Sequence, residues 1–246
     1  MSTIELRGLG KRFGSRWVFR RVSFAIEPGR FVLLLGANGS GKTVLARHLN
    51  GLLLPDEGEV LIDGRPIKAD LAACRRTVGM VFQDPESQII GQTVFEDVAF
   101  GPRVQQISEA EVSERVAEAL ALTGLEAERQ SPPATLSGGR RRRLALAGVI
   151  ATRSSCIVLD EPFTFLDHAA CVELLRYLVR LKERGHTVIM ITHDIEKVLG
   201  EADRVIALAD GGVAADTSPE RFLTELPAYG LRRPHGTLTE LSWREV

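Results

Sequence analysis

Phe31-Val32-Leu33-Leu34-Leu35-Gly36-Ala37-Asn38-Gly39-Ser40-Gly41-Lys42-Thr43 is the stretch on which the fold turns. Its first five residues are apolar without interruption, which predicts a short strand buried on both faces, as in a parallel sheet. The glycines after it let backbone N–H groups turn inward, and a helix is expected to start at Lys42 and end near Gly51. Strand, glycine turn and helix in this order, with Gly36, Gly41, Lys42 and Thr43 at these spacings, match the phosphate-binding loop (P-loop) pattern. The helix start adds about half a positive charge to the inward N–H groups. Lys42 should reach terminal phosphates, and the Thr43 hydroxyl should face a magnesium ion bridging them.

Working outward, Val22 to Ile26 alternates apolar with small or polar residues before Pro28-Gly29, so the first thirty-five residues read as short strands. Glu59 to Ile62 before Asp63-Gly64 suggests one arm of a hairpin, and Thr77 to Phe82 another apolar strand. From Val94 to about Thr152 the pattern is helical, with Ser108 and Glu111 as a capping box and Gly124 as a stop. Cys156 to Leu159 and Thr187 to Ile191 return to buried strands around a helix capped by Asp167 and ended by Gly185, a parallel β-α-β unit. Arg204 to Ala209 and Val213 to Ala215 form a last hairpin around Gly211-Gly212, followed by a polar tail of helix and loop.

Composition narrows the function classes. Lys plus Arg (31) balances Asp plus Glu (32), a formal net charge of -1, so no global field draws nucleic acid or anionic lipid. Cys74, Cys156 and Cys171 are odd in number and lack metal-ligand spacing, which points to a reducing cytoplasm. No run approaches the roughly 18 to 20 apolar residues of a membrane span, and Met1 to Gly14 has no apolar signal core. A single domain over 1–246 without repeats is expected, with a helical subdomain at about 84–152 and a short extension at about 217–246.

The apolar run Cys156 to Leu159 ends in Asp160-Glu161. Ligands gather at the carboxyl ends of strands in open α/β sheets, so these acids belong beside the phosphates. Asp160 is the candidate magnesium ligand, and Glu161 the group that polarises an attacking water. His193, just beyond Val188 to Ile191, should emerge at the same edge and could touch the γ-phosphate, although a lone histidine is more often structural.

Leu136-Ser137-Gly138-Gly139 resembles the signature motif of ATP-binding cassette (ABC) ATPases. The resemblance runs along nearly the whole chain: the P-loop, Gln83 after a strand, the signature, Asp160-Glu161, Thr164-Phe165-Leu166-Asp167, and His193-Asp194. It implies a P-loop NTPase (RecA-like) α/β core, with an N-terminal antiparallel β subdomain and an inserted helical subdomain. It also implies ATP and Mg2+ as cofactors, and ATP hydrolysis coupled to transport. Phe13 looks like the aromatic that stacks on adenine, with Val18 near the ring, the alternative for Phe13 being ordinary core. Gln83 looks like the residue that senses magnesium and phosphate. Gly36, Ala37, Asn38, Gly39, Ser40, Gly41, Lys42 and Thr43 take the phosphates. Ser137 and the N–H groups of Gly138 and Gly139 open a helix and make a second anion site, which in the family faces the nucleotide of another copy. A head-to-tail homodimer is therefore expected, or a heterodimer with a paralogue.

Val81-Phe82-Gln83-Asp84-Pro85-Glu86-Ser87-Gln88 and Thr93-Val94-Phe95-Glu96-Asp97-Val98-Ala99-Phe100-Gly101-Pro102 look like the energy-coupling-factor importers of vitamins, cobalt and nickel, and Gly230 to Pro234 looks like their C-terminal extension. That implies a peripheral subunit at the cytoplasmic face of the membrane, bound to integral coupling and substrate-binding proteins. Gln88 and Phe95 are the expected docking residues, the alternative for Phe95 being ordinary core. The alternatives are the ATPase of another ABC importer class and a soluble ABC ATPase working on nucleic acid or ribosomes, the latter disfavoured because the chain lacks coiled-coil, zinc-bearing or tandem insertions. Arg140 departs from the usual glutamine. Arg140 to Arg143 fan through about 300° of helix, so they must serve different neighbours.

Overall fold

The computed structural model of the chain describes residues 2–164, 166–226 and 236–243; Phe165 and the Gly230 to Pro234 stretch lie outside them. Two sheets organise these residues. In the first, β1 (Ile4–Phe13), β2 (Arg16–Ile26), β4 (Glu57–Ile62) and β5 (Arg65–Pro66) pair antiparallel in the order β2-β1-β4-β5. The β4–β5 turn has both Asp63 (φ 51) and Gly64 (φ 76) in the left-handed region, which a two-residue hairpin matched to strand twist requires.

The second sheet is β10-β9-β3-β8-β7-β6, from β3 (Phe31–Gly36), β6 (Val78–Val81), β7 (Cys156–Asp160), β8 (Thr187–Ile191), β9 (Arg204–Ala209) and β10 (Gly212–Thr217). Its strands are parallel except for β10, which returns antiparallel to β9. β7 and β8 are buried at every position, which is why they read as unbroken apolar runs.

β3 separates two cores. Leu33 and Leu35 pack with Leu175 and Leu178 of α6 (His168–Glu183), whereas Val32 and Leu34 pack with Leu45 and Leu49 of α1 (Lys42–Leu49) and with Leu6 and Phe24 of the antiparallel sheet. A third core joins α3 (Val94–Val104), α4 (Glu109–Thr123) and α5 (Gly138–Ala151) through Val98, Val112, Val116 and Leu144. α5 belongs to two of these cores: Leu144 faces the helical one and Leu146 the sheet. That shared helix joins the inserted helices to the sheet. α2 (Leu71–Thr77), α7 (Ile195–Val198) and α8 (Pro219–Glu225) complete the helices used below.

Three local expectations are corrected. Thr77 ends α2 rather than starting a strand; Asp70, whose side chain accepts the Ala73 N–H, was the cap signal available for that helix. Ser108 caps α4 one-sidedly, because Glu111 is paired with Arg115 at 2.6 Å, while the reciprocal capping box is Thr93 with Glu96 at α3. β10 begins at Gly212, so the last turn is Asp210-Gly211. Among the described residues, no helix is long and apolar enough to cross a membrane.

Candidate active site

The parallel strands deliver Gly36, Gln83, Asp160 and Ile191 at or just past their carboxyl ends, onto one edge of the sheet. A cavity of about 590 Å³ opens there. Asn38, Gly39, Gly41, Lys42, Thr43, Gln83, Asp160 and Glu161 line it, with Phe13 and Val18 on the side of the antiparallel sheet. Phe13 is 54% exposed and so is not a core residue. Arg16 and Trp17 also line the cavity, which the sequence reading missed; an arginine and an aromatic two and one places before Val18 were the available signal.

The loop after β3 curls around its own lysine. Lys42 Nζ donates to the carbonyl oxygens of Gly36 at 2.8 Å and Ala37 at 3.0 Å. Burial lowers the lysine's pKa from its ordinary value, opposed by the nearby carboxylates of Glu161 and Asp160. Gly41 (φ 96) must be glycine twice over: its backbone is left-handed, and a Cβ there would lie 2.8 Å from Val18 Cγ1. The Ser40 hydroxyl is buried and without a hydrogen-bond partner.

Asp160 is 3% exposed, and its Oδ1 is buried without a hydrogen-bond partner. Burial raises its pKa, and the neighbouring Thr43 hydroxyl opposes that rise. An orphaned carboxylate oxygen beside a hydroxyl is the donor set of a hard divalent cation that keeps its remaining ligands from phosphate and water. Among the described residues no three His, Cys, Asp or Glu side chains cluster into an all-protein metal cage.

Glu161 is held from several sides. Its N–H donates to the Ile191 carbonyl at 2.9 Å, and its backbone is left-handed (φ 49), which is uncommon for a side chain of this size. Its Oε2 accepts the main-chain N–H of His193 at 3.4 Å and lies 3.0 Å from His193 Nδ1. His193 itself does not line the cavity; it sits in the neighbouring cleft with Thr192, Asp194 and Trp243.

Ser137 is the N-cap of α5, its hydroxyl accepting the Arg140 N–H at 3.4 Å, and Gly138 and Gly139 open the helix. None of the three lines the cavity, and Ser137 and Gly138 are exposed. The four arginines after them diverge. Arg140 pairs with Glu128 at 2.5 Å, Arg141 with Glu86 at 3.0 Å and Arg143 with Glu173 at 3.4 Å, whereas Arg142 turns inward.

Gln88 and Phe95 do not present a free docking face. Gln88 Oε1 accepts the Phe82 N–H at 2.7 Å and its Nε2 donates to the Met80 carbonyl at 2.9 Å, so this side chain continues the hydrogen bonding of β6. Phe95 is half-buried against the helical core, with the Arg129 guanidinium 4.4 Å from its ring centroid.

Comparison with known proteins gives the family. A family profile described as ABC transporter matches residues 19–164. The energy-coupling factor transporter ATP-binding protein EcfA of Methanocaldococcus jannaschii is 42% identical over 85% of this chain and 76% of its own. The cobalt import ATP-binding protein CbiO of Syntrophus aciditrophicus is 41% identical over 98% of this chain and 88% of its own. Among solved structures, CbiO1 of Clostridium perfringens, part of the ABC transporter complex cbiONQ, superposes with a TM-score of 0.82 at 32% identity over 92% of each chain. The chain belongs to the ABC transporter family, among its ATP-binding, ATP-hydrolysing proteins.

Proposed function

We propose that this chain is the ATPase motor of a membrane importer of the energy-coupling-factor type, serving a vitamin or a transition-metal ion such as cobalt or nickel. The observation that carries the reading is the convergence of the P-loop, Gln83, Asp160 and Glu161 on one cavity at the sheet edge. Similarity to proteins named for energy-coupling factor transport and cobalt import supports the subgroup.

In this reading, Phe13 and Val18 hold the adenine, while the loop N–H groups and Lys42 hold the phosphates. Lys42, which donates to the carbonyls of Gly36 and Ala37, would turn its ammonium to the phosphates of a bound nucleotide. Thr43 and Asp160, with Gln83 nearby, would hold Mg2+, which would supply positive charge at the phosphate oxygens. Glu161 takes a proton from the attacking water, and His193 orients that carboxylate. Ser137, Gly138 and Gly139 need a phosphate surface that their own chain does not bring to them, so two copies pair head to tail and each completes the other's site. The pair sits peripherally at the cytoplasmic face, against integral subunits.

Co-expression with candidate membrane subunits, detergent extraction and purification through the membrane protein tests the reading. Recovery of this chain with ATPase activity that rises on reconstitution with solute is the expected result. Failure to co-purify with any such partner, with ATPase intact, would move the motor to another system.

A further inference from the structure

Arg142 carries contacts that the mechanism above does not use. It lies on α5, is 4% exposed, and donates Nη1 to the main-chain oxygen of Glu161 at 2.5 Å and Nη2 to the main-chain oxygen of Gln83 at 2.6 Å. Removing a guanidinium from water is costly, and that burial lowers its pKa against the opposing pull of Asp84 and Glu161. A planar fork that satisfies two carbonyls at once offsets the cost in a way that the point charge of a lysine does not. The two carbonyls belong to different pieces: one closes β7 at the acid that activates water, and the other opens the loop after β6. Arg142 itself belongs to the helix shared by the inserted helices and the sheet.

The Glu161 backbone is the part that most needs holding. Its left-handed conformation is tied at the N–H by Ile191 and at the carbonyl by Arg142 and the Thr164 N–H at 3.3 Å. A small rotation there swings the carboxylate away from the cavity and from His193. We propose that Arg142 is a positioning residue for hydrolysis: its fork sets the spacing between the Glu161 backbone and the Gln83 loop, so the carboxylate is aimed when α5 is seated against the sheet. The proposal rests on Glu161 being the group that activates water. It makes the angle of the helical insert, rather than nucleotide binding, the quantity that Arg142 converts into rate.

The full chain carrying Arg142→Met, Arg142→Lys or, as a control on the same helix, Arg143→Met tests this, read by kcat, KM, ATP affinity in calorimetry and melting temperature. Arg142→Met should lose roughly 10²-fold in kcat, the order a displacement of about 1 Å costs, with ATP affinity within about threefold of the parent. Arg142→Lys should recover part of that rate, and Arg143→Met should stay within about twofold. Unchanged kcat in Arg142→Met overturns the proposal. So does a loss of kcat and affinity together in Arg142→Lys, which marks a purely structural arginine. If Arg142→Met melts below the assay temperature, Arg142→Lys decides: reduced kcat at parental affinity supports the role, and parental kcat overturns it. Glu161→Gln is measured in parallel. If that variant hydrolyses ATP at the parental rate, the assignment of the base fails; if it is inactive while Arg142→Met is normal, only the role of Arg142 fails.

Discussion

Nδ1 of His193 lies 3.0 Å from Oε2 of Glu161, joining side chains that follow two adjacent parallel strands. One member can therefore be removed while the other stays in place. Glu161→Gln should lower kcat by roughly 10²- to 10⁴-fold, the range of a lost general base. His193→Ala, which leaves the carboxylate present but unsteered, should cost less. ATP affinity by calorimetry should survive in both. Parental turnover in Glu161→Gln would remove it as the base.

Lys42 bonds to the carbonyls of Gly36 and Ala37 of its own loop. Lys42→Ala should weaken MgATP binding at least about tenfold, from hydrogen bonds to a charged group worth about 1.5–3 kcal/mol. Circular dichroism should show an intact fold. Parental affinity in a folded variant would refute the phosphate role.

Asp160 has a pKa raised by burial, and its sign sets a pH test. A carboxyl whose folded pKa is raised contributes its stability below the unfolded value, and loses it as pH rises through the folded value. At neutral pH the ionised group is thus a cost to the cation-free fold. Asp160→Asn should raise the melting temperature at pH 7 by about 2–4 °C for each kcal/mol relieved, and the gain should shrink as pH falls toward about 3.9. Added MgCl2 should stabilise the parent at pH 7 but not the variant. A lower melting temperature for Asp160→Asn would contradict the buried-charge account.

Ser137 and Gly138 are exposed and away from the cavity. Size-exclusion chromatography of Glu161→Gln should show a larger species with ATP than without, since ATP bound between two chains favours the closed pair. Adding Ser137→Arg should abolish the shift while leaving the chain's own P-loop able to bind ATP. An unchanged shift would take the signature out of the interface.

Phe100 and Val104 are 52% and 66% exposed and stand four residues apart on α3, so they share a face. Phe100→Glu and Val104→Glu should reduce recovery with a membrane partner and leave basal ATPase and melting temperature within error. Gln88→Leu should instead lower melting temperature and ATPase together, because it breaks both hydrogen bonds that continue β6. Full recovery with both glutamate variants would place docking elsewhere.

The strand, turn and helix start from Phe31 to Thr43, the buried strand Cys156 to Leu159 and the helix start at Ser137 were readable because each is local: a run of neighbours whose apolar pattern, glycines and capping residues already state the backbone conformation. The capping of α6 by Asp167 and the stop of α4 at Gly124 were legible for the same reason. Other roles depended on partners far along the chain. Gln88 looks free in sequence, but the turn after β6 folds it back onto Met80 and Phe82. Helical geometry alone scatters Arg140 to Arg143, yet it does not say which one points inward. Packing of α5 against the sheet chose Arg142, because a guanidinium turned into that junction is retained only where carbonyls meet it, and those of Gln83 and Glu161 come from residues 59 and 19 positions away. What a residue can do was written in the chain, and which residue does it was decided by what the tertiary fold brought within hydrogen-bonding distance.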